Sequence, residues 1–244
     1  MHLSQALACD LQRRDAVSSL EVQVQENICV KIKAVIWDFG GVITTSPFEA
    51  FNRYERERAL PLDFIRTVNA TNPDHNAWAL FERSEIDAAA FDVQFAHEAR
   101  ALGQDVRGAD ILPLLSGDIR PGMVAALKAC KAVFSVGCIT NNVSTGKGAG
   151  MAGSLDKAAA VANVMSLFDV VLESSKIGVR KPDPRIYQMM CDALDVSPDA
   201  CVYLDDLGVN CKPAAQLGMQ AIKVASEPQA LAALQAIVKI DLAG

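Results

Sequence analysis

Three short apolar runs in this chain each stop at side chains that the interior of a sheet would not accept. Ala34-Val35-Ile36-Trp37 runs into Asp38-Phe39-Gly40-Gly41, Ser135-Val136-Gly137-Cys138-Ile139 into Thr140-Asn141-Asn142, and Cys201-Val202-Tyr203-Leu204 into Asp205-Asp206-Leu207-Gly208. Continuous apolar strands, as opposed to alternating ones, belong to parallel sheets covered on both faces. An open parallel sheet binds its ligands beyond the carboxyl ends of its strands. A carboxylate, a hydroxyl and a carboxylate pair are therefore expected at one place, together with the lysine of the loop Gly178-Val179-Arg180-Lys181-Pro182-Asp183-Pro184.

The spacing of the remaining apolar residues sets the architecture. After Pro121, helices over 123–130, 155–165, 185–194, 211–217 and from 228 alternate with strands over 133–139, 169–172, 200–204 and 221–224. With a first strand over 32–37, this is the pattern of an α/β fold, a doubly wound (Rossmann-like) parallel sheet. Between Ser46 and Ser116 no strand appears. Helical spacing over 48–60, 63–68, 77–81 and 88–102, interrupted by Pro61, Pro73 and Gly103, predicts a small α-helical cap inserted into the core. The expected division is an N-terminal extension over 1–30, a core made of 31–46 and 116–244, and a cap over 47–115. Residues 1–26 read as a peripheral segment, an extra helix with Leu3, Leu7 and Leu11 on one face being the alternative. The glycine-rich stretch 146–153 does not fit the spacing of a nucleotide phosphate loop and reads as a connector.

Composition narrows the partners. An apolar content of 51% over 244 residues can bury a sizeable core, and a net charge of −6 argues against a nucleic-acid binder, whose affinity comes from clustered Lys and Arg. No run of ~20 apolar residues suggests a membrane span, and the charged first residues do not form a secretory signal. Seven cysteines, an odd number without metal-ligand spacing, fit a reducing cytoplasm. The expected partner is a small molecule; oligomeric state is not legible.

Each polar group has a chemistry suited to its place. Asp38, at a strand end, can attack phosphorus and split a hydrolysis into two easier steps, although a turn-capping Asp is the ordinary alternative. Asp205 and Asp206 repel one another unless a cation lies between them, and Mg²⁺ takes a few such oxygens while keeping waters and substrate phosphate as its other ligands. Asn210 can orient one of these carboxylates or hold a metal-bound water. Thr140, through its hydroxyl, and the main-chain N–H groups at Thr140 and Asn141 can bind phosphate oxygens. Lys181 can neutralise both the nucleophile and a transferring phosphoryl group. Arg180 is the weaker candidate, with a solvent-facing place as its alternative. Asp183 and Pro184 read as cap and first residue of the next helix.

All four motifs, in this order and around a helical insert, make the chain similar to the haloacid dehalogenase superfamily of phosphohydrolases, and in particular to the phosphatase-like domain of bifunctional soluble epoxide hydrolases. The resemblance runs from Lys31 onward and includes Leu204-Asp205-Asp206-Leu207-Gly208-Val209-Asn210-Cys211-Lys212-Pro213-Ala214-Ala215. It implies an Mg²⁺-dependent phosphohydrolase of small phosphorylated metabolites, with Asp38 as nucleophile, Thr140, Asn141 and Lys181 around the phosphoryl group, and Asp38, Asp206, the Gly40 carbonyl and, in support, Asp205 around the metal. The departure is Gly40, where most relatives carry a second Asp that protonates the leaving group. His75 and His97 of the cap are the candidates to replace it, and Trp78 reads as cap core. A metal-free hydrolase attacking carbon, and a phosphate-binding module without turnover, are the alternatives.

Overall fold

The computed structural model describes residues 31–143 and 154–242, and the architecture is that of the unit Ile32–Gly244. The extension over 1–30 and the glycine-rich stretch 146–153 lie outside the described residues.

Strand β1 (Ala34–Trp37) is buried over its whole length. It leads through a tight turn over residues 39–43 into a block of helices: α1 (Pro47–Glu57), α2 (Phe64–Ala70), α3 (Ala77–Glu82), α4 (Ala88–Ala101) and the short α5 (Gly108–Ile111) with a 3₁₀ turn (Leu112–Leu115). Next come α6 (Pro121–Lys131), β2 (Ser135–Thr140), α7 (Leu155–Met165), β3 (Val170–Glu173), the single turn α8 (Ser174–Ile177), α9 (Pro184–Leu194), β4 (Cys201–Asp205), α10 (Gly208–Gln216), β5 (Gln220–Lys223) and α11 (Glu227–Val238). All four strand pairings are parallel and the order is β3-β2-β1-β4-β5.

The central strand shows why both faces are covered. Val35 and Trp37 pack with Leu127 of α6 and Leu234 of α11, while Ala34 and Ile36 pack with Tyr187 and Met190 of α9 and Ala214 of α10. The period of two sends successive side chains to opposite faces, so a strand apolar at every position needs a helix layer on each side. Gly137 of β2 allows α9 to approach closely, since a Cβ there would lie 2.5 Å from Met190 Sδ.

Register brings the polar strand ends level. Trp37 lies opposite Cys138 of β2 and Leu204 of β4, so Asp38, just past β1, and Asp205, the last residue of β4, lie side by side. Asp38 N–H still donates to Leu204 O at 2.8 Å, which fixes the first residue beyond the strand.

The helices between residues 47 and 115 bury their own apolar cluster, which includes Phe51, Phe64, Phe81, Phe91 and Phe95, with Val143, three residues past β2, packed into it. Trp78 belongs there, edge-on to Phe91 at 5.5 Å. The helix expected over 48–60 is shorter than its spacing suggests. It ends at Glu57, and the Glu55 carboxylate turns back to accept the N–H groups of Asp63 and Ile65 at 2.9 Å, serving as cap for α2, while Asp63 itself is left-handed and makes no side-chain cap. By contrast, Asp183 and Pro184 start α9 as expected, Asp183 accepting from Arg185 N–H. Helix α10 begins three residues before the expected position because Leu207 and Gly208 already turn into it. Among the described residues, no helix is long and apolar enough to cross a membrane.

Candidate active site

Lys181 is a lysine with 1% exposure, and its ammonium joins the ends of two strands. Its Nζ lies 2.7 Å from Asp38 Oδ1 and 2.8 Å from Asp205 Oδ2. Burial works against its positive charge, but Asp205 and Asp38 outweigh that and hold it above the usual lysine range. An ammonium with so little water can stay charged only when its donors meet carboxylates in this way.

The three carboxylates differ in how much of their hydrogen-bonding capacity the protein uses. Asp205 is completely buried. It accepts from Lys181 Nζ, Tyr203 OH, Leu207 N–H at 2.8 Å and Asn210 Nδ2, which reaches both its oxygens at 3.1 Å. Asn210 thus orients a carboxylate, one of the two roles expected for it, and Tyr187 OH fixes Asn210 in turn through its carbonyl at 2.8 Å. Asp38 uses Oδ1 for Lys181 and for its own neighbour Phe39 N–H at 2.7 Å. Among the described residues, Asp206 has only Ser46 Oγ, at 3.1 Å, as a side-chain partner.

Oxygens of Asp38, Asp205 and Asp206 lie within 4.8 Å of one another. So much negative charge in little water raises proton affinity. Burial, then Asp205 and Asp206, lift Asp38 well above the carboxylate range against the pull of Lys181. Burial and Asp205 push Asp206 up to about 6. These oxygens are the hard donors that Mg²⁺ prefers.

The backbone around the cluster is shaped to match. Gly41 sits at φ 78°, and a Cβ on it would fall 2.1 Å from Asp206 Oδ2, so only glycine leaves room for that carboxylate. Gly40 is different: it has the ordinary values φ −68° and ψ 130°, and a Cβ there would meet nothing within 4 Å. Arg120 Nη1 donates to Gly41 O at 2.9 Å and ties this turn to the start of α6.

Thr140 is buried at the end of β2, beside β1 in the sheet. Asn141 follows, but its side-chain amide is committed to the Lys181 loop, with Oδ1 accepting Lys181 N–H at 2.9 Å and Nδ2 donating to Lys181 O at 3.0 Å. Arg180 does not face solvent. It pairs with Glu82 of α3 at 2.6 Å and also donates to Pro73 O at 3.0 Å, which ties the segment before α3 to the core. His75 is exposed beside a cleft lined by Arg83, Gly178 and Arg180, and His97 is exposed on α4. Among the described residues, no hydrogen bond or ion pair joins either histidine to Asp38, Lys181 or Asp206.

Sequence reasoning did not find Ser46, Tyr203, Arg120 or Glu82. Ser46-Pro47 carried only a helix-start signal, with Ser46 as N-cap and Pro47 at the first position. Its second use, toward Asp206, depends on a contact 160 residues apart.

The chain is 28% identical over 226 residues to bifunctional epoxide hydrolase 2 of Sus scrofa, a match covering 86% of this chain and 40% of that one. It is 31% identical over 204 residues to phosphatase MT3486 of Mycobacterium tuberculosis (strain CDC 1551 / Oshkosh), covering 80% of this chain and 88% of that one. The chain spans 40% or less of the length of several longer relatives. In fold, it resembles the HAD family enzyme BT-2542 of Bacteroides thetaiotaomicron, solved in complex with magnesium and inorganic phosphate, with TM-score 0.51 and 18% identity over 78% of this chain and 93% of that one. The sequence profile of haloacid dehalogenase-like hydrolases matches residues 32–218, and with the parallel sheet and the clustered strand ends this makes the chain a member of the haloacid dehalogenase-like hydrolase family.

Proposed function

We propose that this hydrolase is an Mg²⁺-dependent phosphatase of small phosphorylated metabolites, working through an acyl phosphate on Asp38. The observation that carries the reading is the unequal use of the three carboxylates. Asp205 is saturated by the protein, whereas among the described residues Asp38 and Asp206 accept fewer side-chain hydrogen bonds beside a buried ammonium. A metal-free attack on carbon has no use for Asp206, whose charge only opposes ionisation of Asp38.

Asp38, Asp206 and the carbonyl of Gly40 are the groups that would hold the ion, with Asp205 in support. When bound, Mg²⁺ would supply positive charge that favours the ionised carboxylates and a phosphoryl group beside them. Asp38 attacks phosphorus in line, the bond to the leaving oxygen breaks, and water later cleaves the acyl phosphate to regenerate the carboxylate. Lys181 holds Asp38 in place and offsets charge on the phosphoryl oxygens. Thr140 contributes its hydroxyl, and Asn141 its main-chain N–H, because its side chain is taken by Lys181. The helical block over 47–115 acts as a cap that excludes water from the site and selects the substrate.

Gly40 supplies no acid. General acid catalysis is typically worth ~10²–10⁴-fold, so the reading favours substrates whose leaving group departs without a proton, such as aryl and acyl phosphates. Phosphate release from a panel of aryl, acyl and alkyl phosphates, with Mg²⁺ and with chelator, tests it. Mg²⁺-dependent release from the first two classes is expected. Release that is unaffected by removing divalent ions, or none from any phosphate, overturns it.

A further inference from the structure

Helix α3 ends on Glu82, a carboxylate of the helical block that is only 6% exposed. Among the described residues its carboxylate accepts three hydrogen bonds, and two of them leave the block. Oε2 accepts from Arg180 Nε at 2.6 Å and from Asn141 Nδ2 at 3.2 Å, while Oε1 accepts from Trp78 Nε1 at 2.9 Å. Asn141 in turn grips the main chain of Lys181 on both sides, through Lys181 N–H and Lys181 O. The amide can point in only one sense: once Oδ1 takes the Lys181 N–H, Nδ2 has to find acceptors, and these are Glu82 and Lys181 O. One carboxylate of the helical block therefore reaches two of the core segments around Asp38, the one after β2 and the one that carries Lys181.

We propose that Glu82 is a positioning residue. It fixes the amide of Asn141, and through it the main chain of Lys181, so that the ammonium stands between Asp38 and Asp205 when the helical block is docked. Arg180 compensates the buried charge and keeps both groups in register, since a buried carboxylate is tolerated only when paired and fully hydrogen-bonded. Docking of the block and alignment of the lysine thereby become one event. In its kinetic part this rests on the phosphatase reading; in its structural part it does not.

The kinetic test is a double-mutant cycle of Glu82→Ala and Asn141→Ala, with Mg²⁺ and 4-nitrophenyl phosphate as substrate. A misplaced lysine should lower kcat by ~10–100-fold, with KM changed far less. If Glu82 acts through Asn141, the double variant is no slower than Asn141→Ala alone; effects that multiply would overturn the proposal. The near-isosteric Glu82→Gln, which removes the ion pair and leaves the size unchanged, guards against a folding defect. Its Lys181 amide should exchange with deuterium at least ~10-fold faster than in the wild type, with the amide of Asp38 unchanged. Unchanged exchange at Lys181 would also overturn the proposal. Should the wild type release no phosphate at all, the phosphatase reading falls, and the exchange measurement still decides the role of Glu82.

Discussion

Asp206 occupies the space that a side chain on Gly41 would need: the position of a Gly41 Cβ is 2.1 Å from Asp206 Oδ2. Gly41→Ala would force a left-handed alanine, at a cost of about 1–2 kcal/mol, and displace the carboxylate as well. The expected outcome is a folded protein, less stable to urea, whose Mg²⁺ affinity measured by calorimetry drops at least ~10-fold, equivalent to about 1.4 kcal/mol. Wild-type affinity in this variant would separate Asp206 from the metal.

Lys181 neutralises two carboxylates in a place without water, so Lys181→Met should destabilise the metal-free protein by about 3–5 kcal/mol at neutral pH. Urea unfolding measures this. Part of the loss should disappear as the pH falls, because Asp38, already shifted upward by burial, takes up a proton before an ordinary carboxylate does. A loss independent of pH would mean that packing of the stem, not charge, sets the effect.

Asp206 gives stability a definite pH dependence. Its folded value of about 6 exceeds the unfolded 3.8, so between these limits the native state holds more protons than the unfolded one and stability declines as pH rises. Asp38 is shifted in the same direction and adds to the decline. The metal-free protein should therefore lose thermal stability from about pH 4 to about pH 6, and Asp206→Asn should flatten part of that slope. Saturating Mg²⁺, which binds the ionised form, should reverse it. A rise in metal-free stability over the same interval would contradict the assignment.

Gly40 has room for a side chain and a backbone that any residue can adopt. Gly40→Asp should fold normally and raise kcat for alkyl phosphates by ~10-fold or more, leaving aryl phosphates little changed, because only the poorer leaving group needs the proton. Rates that rise equally for both classes would show that the new carboxylate acts other than as an acid.

The centre of the sheet was legible because β1 is apolar at every position and β4 at every position before its terminal Asp205. β4 begins and ends one residue from its expected limits, and α7 coincides with its own. The strand-end carboxylates were legible for the same reason, since Asp38 and Asp205-Asp206 interrupt runs that have no other use for a charge. Glu82 was not. In sequence it is one acidic residue at the end of a short apolar helix, and its charge finds its partner only in Arg180, 98 residues later. The side-chain direction of Asn141 was likewise invisible, because loop spacing places an amide near a phosphate site without saying which neighbour takes its two ends.

The central claim is that Asp38 is the group that attacks phosphorus. The direct measurement is kcat of Asp38→Asn against the wild type, with saturating Mg²⁺ and the best aryl phosphate of the panel. The account predicts a loss of at least ~10³-fold with the thermal midpoint of unfolding retained or raised, because an amide cannot form the intermediate and the site sheds a buried charge. Turnover within ~10-fold of the wild type, a barrier change of only about 1.4 kcal/mol, would contradict covalent catalysis by this residue.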